Sequence, residues 1–218
     1  MSIPKTIYQT YKTNKLPFIT RWHIMRMKKR NPSYNYQFYN DIMIEDFIRK
    51  EFDPPVFDIY KRINIGAARA DFFRYAILYK RGGVYLDIDS LFLRRLDEII
   101  LPDDSAVISY ESNKTYFIQW ALIFEPGHPF LKKTIELVLD NLRENKHPHD
   151  VHRMMGPTVY TEAIKACLAE SPNIRYRQVD VDYEKKIKFS YKTSKFFLYG
   201  IKGKNHWRRA QKTTPILK

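Results

Sequence analysis

Two acidic residues, Asp87 and Asp89, stand one residue apart in the stretch GGVYLDIDS, which begins at Gly82. Their neighbours alternate as in a β-strand, where successive side chains point to opposite faces. The alternation predicts a strand over residues 84–90 with both carboxylates on one face near its end, about 7 Å apart. Such like charges repel each other. A divalent cation that prefers oxygen ligands, Mn²⁺ or Mg²⁺, would stabilise them, although an Asp-x-Asp tripeptide alone is weak evidence.

A second polar pair, Asp71 and Arg74, lies three residues apart in the stretch that precedes the two glycines. The apolar residues of IGAARADFFRYAILYKRGG recur at three- and four-residue spacing, and this pattern predicts a helix that ends at Gly82-Gly83. Residues three apart share a face of a helix, where an exposed ion pair would contribute only a few tenths of a kcal/mol. Because only two glycines separate this helix from the predicted strand, both polar pairs can border one cleft.

The remaining pattern predicts strands that alternate with helices, which is typical of an α/β domain with a central sheet. Further strands are predicted over residues 5–11, 34–40, 106–111 and 116–125. Further helices are predicted over residues 19–30, 41–52 with Asp41 as N-cap, from PGHP to about Glu144, and from about Thr158 to Glu170. Pro54-Pro55 is predicted to stop the second helix, and the basic segment 185–218 is interpreted as strand-like. We expect residues 1–218 to form one domain that includes this segment.

The composition of the 218 residues indicates a globular, strongly basic protein. Its 44% apolar and 15% aromatic content is ample for a buried core, and the formal net charge is +14. Eleven Lys or Arg and no acidic residue lie in segment 185–218, and RWHIMRMKKR (residues 21–30) is a second basic stretch. Such surfaces attract phosphates, although a solvated basic face without a partner is an equal alternative. The sequence shows neither the apolar core of a signal peptide nor a run of ~20 apolar residues, so we expect a soluble, cytoplasmic protein.

The block AARADFFRYAILYKRGGVYLDIDS closely resembles the signature of the DXD sugar transferases, which include yeast α-1,6-mannosyltransferases, capsule and lipopolysaccharide transferases and the clostridial glucosylating toxins. The signature residues present in this chain are Asp71, Arg74, Gly82, Gly83, Tyr85, Asp87 and Asp89. IPKTIYQTYKTNKLP resembles the opening strand of that family, and EPGHPF, GPTVYTEAI and the NHW of residues 205–207 resemble its later segments. Gln119 and Trp120 stand near the place of a family Asn that is not evident here.

The resemblance implies a GT-A fold, with a central mixed sheet flanked by helices, and retaining sugar transfer with Mn²⁺ or Mg²⁺. It implies that Asp89 binds the metal directly and that Asp87 contacts the ribose and reaches the metal directly or through water. Asp71 and Arg74 would hold the donor sugar and the diphosphate. The nucleotide-sugar site would also include Thr10, Tyr11 as a platform for the base, and Tyr85, while His206 is a third candidate metal ligand.

The function predicted from these residues is transfer of a hexose from a nucleotide sugar, with UDP-glucose as the best single guess, to a glycan, lipid-linked or protein-linked acceptor. A nucleic-acid-binding protein or metal-dependent nuclease is the alternative, because the chain is basic and carries an acidic pair. A two-metal nuclease usually needs more clustered carboxylates, and no groove-reading motif is present, so no nucleic-acid partner is expected. A noncatalytic sugar-binding module fits poorly with intact motif carboxylates. Contact with an anionic surface is a further expectation from the basic segment.

Overall fold

The fold is taken from a computed structural model that describes residues 2–199 and 207–218. The strands are β1 (Thr6–Thr10), β2 (Asn35–Tyr39), β3 (Gly83–Leu86), β4 (Leu91–Phe92), β5 (Ala106–Ser109), β6 (Ala121–Phe124), β7 (Arg177–Val179) and β8 (Ile187–Lys188). The helices are α1 (Phe18–Arg30), α2 (Asp41–Glu51), α3 (Pro54–Arg62), α4 (Gly66–Arg81), α5 (Pro129–Arg143), α6 (Val151–Met154), α7 (Pro157–Glu170), α8 (Val181–Glu184), α9 (Ser194–Tyr199) and α10 (Trp207–Thr213). The predicted ligand His206 lies outside the described residues.

Six strands form a mixed sheet in the order β2-β1-β3-β6-β5-β7. Strand β1 lies parallel to both β2 and β3, whereas β6 runs antiparallel to its neighbours β3 and β5. Tyr85 belongs to one apolar core and Val84 and Leu86 belong to the other, so both faces of the sheet are covered. The predicted α/β fold with a central mixed sheet flanked by helices is confirmed.

Helix α4 is the element that carries the polar pair into the interior. It runs over Gly66–Arg81, as its periodicity predicts, and nine of its residues are buried, including Asp71 and Arg74. Gly82 follows with φ of 62°, a left-handed conformation that glycine adopts without steric cost. The helix therefore turns directly into β3, and its polar pair faces the end of that strand.

Gly83 sits where a side chain has no room, and this gives a first testable prediction. Its φ is +110°, and a Cβ would stand 2.7 Å from the carbonyl oxygen of Thr6 in the neighbouring strand. Overpacking and backbone strain together predict that Gly83→Ala lowers the free energy of unfolding by about 2–4 kcal/mol. Gly66→Ala is the matched control, because a Cβ there meets nothing within 4 Å. Urea denaturation that shows equal stability for the two variants would contradict this explanation.

Several local predictions are wrong. Strand β3 ends at Leu86, so the two aspartates follow the strand instead of lying within it. The N-cap of α2 is Asn40, whose side chain accepts a hydrogen bond from the Met43 N–H, and not Asp41. The two prolines end one helix but also occupy the first turn of α3, where the missing N–H costs nothing. The segment from residue 185 contains helices α9 and α10 besides the short strand β8 and is not simply strand-like.

No helix in the described part of the chain combines the length and the apolar content that crossing a membrane requires.

Candidate functional site

Asp87 and Asp89 lie in a tight turn at the carboxyl end of β3. The backbone N–H of Asp87 donates to the Trp120 carbonyl at 2.8 Å, and the N–H of Ser90 donates to the Asp87 carbonyl at 2.9 Å. Asp89 is buried, with 8% of its surface exposed, whereas Asp87 keeps 25% of its side chain exposed. The turn therefore replaces the predicted strand face, but it still places both carboxylates at the strand end where α/β proteins bind ligands.

Arg74 joins the two polar pairs that the sequence predicts to border one cleft. Its Nη2 lies 3.0 Å from Oδ1 of Asp71 and 2.9 Å from Oδ1 of Asp87. The guanidinium is buried, and its carbon lies 4.8 Å from the centre of the Tyr85 ring. The Tyr85 hydroxyl also donates to Oδ1 of Asp87 at 3.0 Å. Asp71 and Arg74 are thus part of an interior cluster and not a surface ion pair.

Gln119 adds further hydrogen bonds to this cluster. Nη1 of Arg74 donates to the Gln119 backbone carbonyl at 2.9 Å, and Nε2 of Gln119 donates to Oδ1 of Asp71 at 3.2 Å. The sequence places Gln119 near the position of a family Asn but does not predict its contact with Arg74, because the two residues are 45 positions apart in the chain. Gln9 was missed as well: its Nε2 donates to the Asp87 carbonyl at 3.1 Å.

Burial controls the electrostatics of the cluster. Burial raises the pKa of Asp89 to about 7, and the nearby Asp87 carboxylate adds to the shift. Burial likewise raises the pKa of Asp71 to about 6, although Arg74 opposes the change. For Asp87 burial raises the pKa, while Arg74 and the Tyr85 hydroxyl lower it. Negative charge at Asp89 is thus left largely uncompensated by the protein.

The two aspartates fit a hard divalent cation such as Mn²⁺ or Mg²⁺. Among the residues that the structure describes, Asp89 has no ion pair within 4.0 Å, so its buried carboxylate lacks a cationic partner. Within residues 2–199 and 207–218, no group of three or more His, Cys, Asp or Glu could hold a metal ion by itself. A site with one or two carboxylates, completed by substrate phosphates and water, is the arrangement typical of Mg²⁺.

Thr10 and Tyr11, the predicted nucleotide residues at the end of the first strand, both form hydrogen bonds within the protein. The Thr10 hydroxyl donates to the Tyr39 carbonyl at 2.8 Å. Tyr11 follows β1, and its hydroxyl donates to the Leu198 carbonyl of α9 at 3.0 Å. Tyr11 packs on an apolar cluster that contains Ile88, the residue between the two aspartates. The predicted base platform therefore lies beside the carboxylate turn.

The segment that leads into α9 covers the turn and was missed as part of the site. The Tyr191 N–H donates to the Asp89 carbonyl at 2.9 Å. Tyr191, Ser194 and Leu198 are all buried. Their three- and four-residue spacing is the signal in the sequence that indicates a helix here, in place of the predicted strand-like, basic segment.

Known proteins that are similar to this chain include several that are named for sugar transfer. Residues 20–106 match the family described as the glycosyltransferase sugar-binding region containing a DXD motif. A mannosyl phosphorylinositol ceramide synthase of Saccharomyces cerevisiae is 35% identical over 136 residues, which are 62% of this chain and 35% of that protein. The initiation-specific α-1,6-mannosyltransferase of Candida albicans is 26% identical over 200 residues, which are 74% of this chain and 52% of that protein. The chain thus spans about half or less of the length of these relatives.

Solved glycosyltransferase structures share the fold. The PaToxG glycosyltransferase superposes with a TM-score of 0.64 at 20% identity, over 78% of this chain and 71% of that one. The UDP-bound glycosyltransferase domain of the YGT toxin gives a TM-score of 0.59 at 10% identity, over 83% of this chain and 80% of that one. The resemblance inferred from the sequence is confirmed: residues 20–106 match a glycosyltransferase sugar-binding region that contains a DXD motif, and the chain shares its fold with solved glycosyltransferase structures.

Proposed function

We propose that the chain transfers a hexose from a nucleoside-diphosphate sugar to a glycoconjugate acceptor, with retention of configuration and with help from a divalent metal ion. The observation that carries the proposal is the buried Arg74, which holds Asp71 and Asp87 together beside the uncompensated Asp89. The match of residues 20–106 to a DXD sugar-binding region supports sugar transfer over a nuclease or a noncatalytic binding module.

The proposed roles follow from the charge and burial of each group. Asp89 and Asp87 hold Mn²⁺ or Mg²⁺, which when bound supplies positive charge to a diphosphate leaving group. Arg74 fixes Asp87 and Asp71 and contributes its own positive charge to the diphosphate region. Asp71, held by Arg74 and Gln119, accepts hydrogen bonds from hydroxyls of the donor sugar. Tyr85 orients Asp87 through its hydroxyl, and Thr10 and Tyr11 border the nucleotide.

The identity of the donor has two supported candidates. UDP-glucose is the first, because Tyr11 offers an aromatic face for a base and a similar fold belongs to a UDP-bound glycosyltransferase domain. A mannose donor such as GDP-mannose is the second, because several relatives are named mannosyltransferases. The acceptor of one relative is named as inositol phosphoceramide, which supports a lipid-borne acceptor among the glycoconjugates to be tested.

A donor panel tests the proposal. The purified chain is incubated with UDP-glucose, other UDP-sugars and GDP-mannose in the presence of Mn²⁺, and released nucleoside diphosphate is measured. We expect release from one donor, loss of release in EDTA and recovery when Mn²⁺ is added in excess. Release that is unchanged in EDTA would contradict metal dependence. Absence of release from every donor, with and without candidate acceptors, would contradict sugar transfer.

A further inference from the structure

The outer face of α1 carries apolar side chains where a surface helix normally carries polar ones. Phe18, Trp22 and Met25 follow one another at four- and three-residue spacing and therefore share one face of the helix. Phe18 is 75% exposed and Met25 is 61% exposed. The opposite face holds the buried Thr20 and Met27 against the protein. Packing among the residues that the structure describes therefore does not explain the outer apolar stripe.

Cations flank this stripe on both sides. Helix α1 contains no acidic residue, and its exposed basic residues are Arg21, Arg26, Lys28 and Lys29. The Arg26 guanidinium lies 4.6 Å from the centre of the Trp22 ring, so the positive charge lies directly over the stripe. Aromatic and aliphatic side chains flanked by Lys and Arg are typical of helices that lie in the interface of an anionic membrane.

A second exposed apolar group, Phe196 and Phe197, lies on α9, just after Tyr191, which packs against the inner face of α1. The Thr20 and Tyr191 hydroxyls are 2.7 Å apart, and the His23 ring stacks on the Tyr191 ring at 4.4 Å. Just beyond Tyr191, Phe196 is 59% exposed and Phe197 is 45% exposed. The sequence of residues 185–218, which includes these two phenylalanines, also has no acidic residue. Among its basic residues, Lys185, Lys188 and Lys192 are exposed.

We propose that the outer face of α1 docks the protein on the surface of an anionic lipid bilayer. Inserted apolar side chains and basic residues close to lipid phosphates would act together in such a contact. A second copy of the chain is a poorer occupant, because two copies of this face would oppose cations with no acidic residue in α1 to pair them. A nucleic acid would use the cations but would leave the aliphatic Met25 without a partner.

The position of the docking face gives it a consequence for sugar transfer, which rests on the proposed function. The Tyr191 hydroxyl lies 2.7 Å from the Thr20 hydroxyl on the inner face of α1, and the Tyr191 N–H donates to the Asp89 carbonyl, so a single residue links α1 to the carboxylate turn. A bilayer bound there would hold a lipid-borne acceptor close to the donor. Membrane binding itself needs neither donor nor acceptor and is therefore testable if the proposed function fails.

Vesicle sedimentation tests the docking face. The full chain is mixed with phosphatidylcholine vesicles that contain about one third phosphatidylserine, and with vesicles of phosphatidylcholine alone. We expect binding to the anionic vesicles, weakened at least about fivefold when salt rises from about 50 to about 300 mM. The double variant Phe18→Ser/Met25→Ser should bind at least about tenfold more weakly, because it lacks the inserting side chains. Ile42→Ser is the matched control, since Ile42 is 76% exposed on α2, and it should bind as the unmodified chain does.

Each contrary outcome overturns the proposal. No binding to anionic vesicles, or equal binding by the double variant, would mean that this face does not insert into lipid. Sedimentation velocity that shows a dimer lost in the double variant, without vesicle binding, would assign the face to self-association. Binding of a single-stranded oligonucleotide in place of vesicles would assign the cations to nucleic acid. Thermal denaturation of the double variant verifies that it folds, as its two exposed positions predict.

Discussion

Asp89→Asn is expected to reduce donor turnover by about a thousandfold or more while the protein remains folded. The substitution keeps the shape of the side chain but removes the charge on which metal binding depends in the proposed site. Loss of a metal ion from a charged leaving group removes several kcal/mol of transition-state stabilisation, and about 4 kcal/mol corresponds to a thousandfold change. Nucleoside diphosphate release at saturating donor and Mn²⁺ is the measurement.

The same substitution should not destabilise the metal-free protein at pH 8. Burial raises the pKa of Asp89 to about 7 from an ordinary value of 3.8, so the folded state disfavours the charged form. The contribution of Asp89 to stability is therefore fully present below pH 4 and is lost as the pH rises through 7. At pH 8 a neutral asparagine removes this unfavourable charge. Thermal denaturation in EDTA should give a Tm equal to or above that of the unmodified chain.

Asp103→Asn provides the control, because Asp103 is exposed and lies at the opposite end of β5 from the carboxylate turn. It should keep both turnover and Tm. Turnover of Asp89→Asn within tenfold of the unmodified chain would contradict the role given to Asp89. A large fall in its Tm at pH 8 in EDTA would contradict the electrostatic account of its burial.

Arg74→Met is expected to lower both stability and turnover. Methionine retains much of the apolar stem but leaves Asp71 and Asp87 without their shared cation. Removing one partner of a buried ion pair costs about 3–5 kcal/mol, because the remaining charge stays in the interior. Denaturant titration should show this loss. Donor turnover per folded molecule should fall at least about a hundredfold, since Asp87 and Asp71 lose the group that fixes them.

Arg177→Met is the control that separates the loss of stability from the loss of turnover. Arg177 pairs with the buried Asp104 at 2.6 Å, outside the carboxylate cluster, and is itself 32% exposed. This variant should lose stability but keep its turnover per folded molecule. If Arg74→Met also loses stability but keeps its turnover per folded molecule, Arg74 stabilises the fold and has no role in sugar transfer. If Arg74→Met keeps its full stability, the two aspartates are not held in the way the ion pairs indicate.

The sequence predicts the central part of this fold because local pattern and tertiary structure agree there. The apolar spacing of residues 65–81 and the following two glycines specify α4 and its end. The two-glycine connection also implies that Asp71 and Arg74 lie near the aspartates. The same pattern does not reveal the contacts of the buried Arg74, because one of its partners, Gln119, is 45 residues away.

The carboxyl-terminal segment could not be predicted in the same way, since its structure depends on distant contacts. The helix α9 is short, and short helices are marginal without tertiary packing. Leu198 and Tyr191 dock on Tyr11 and Ile88, which lie more than one hundred residues earlier in the chain. Basic composition indicated a charged surface there. It did not indicate that the same segment would cover the turn of Asp89.

Isothermal titration of UDP and GDP into the unmodified chain and into Asp89→Asn tests the central claim most directly, that the carboxylate turn binds a nucleoside diphosphate through a metal ion. With Mn²⁺ present, we expect one of the two nucleotides to bind the unmodified chain with a stoichiometry of about one. Affinity should fall at least about tenfold when EDTA replaces Mn²⁺, and to a similar level in Asp89→Asn with Mn²⁺ present. Equal affinity with Mn²⁺ and with EDTA, or equal affinity in the variant, would contradict the claim, as would the absence of binding by both nucleotides.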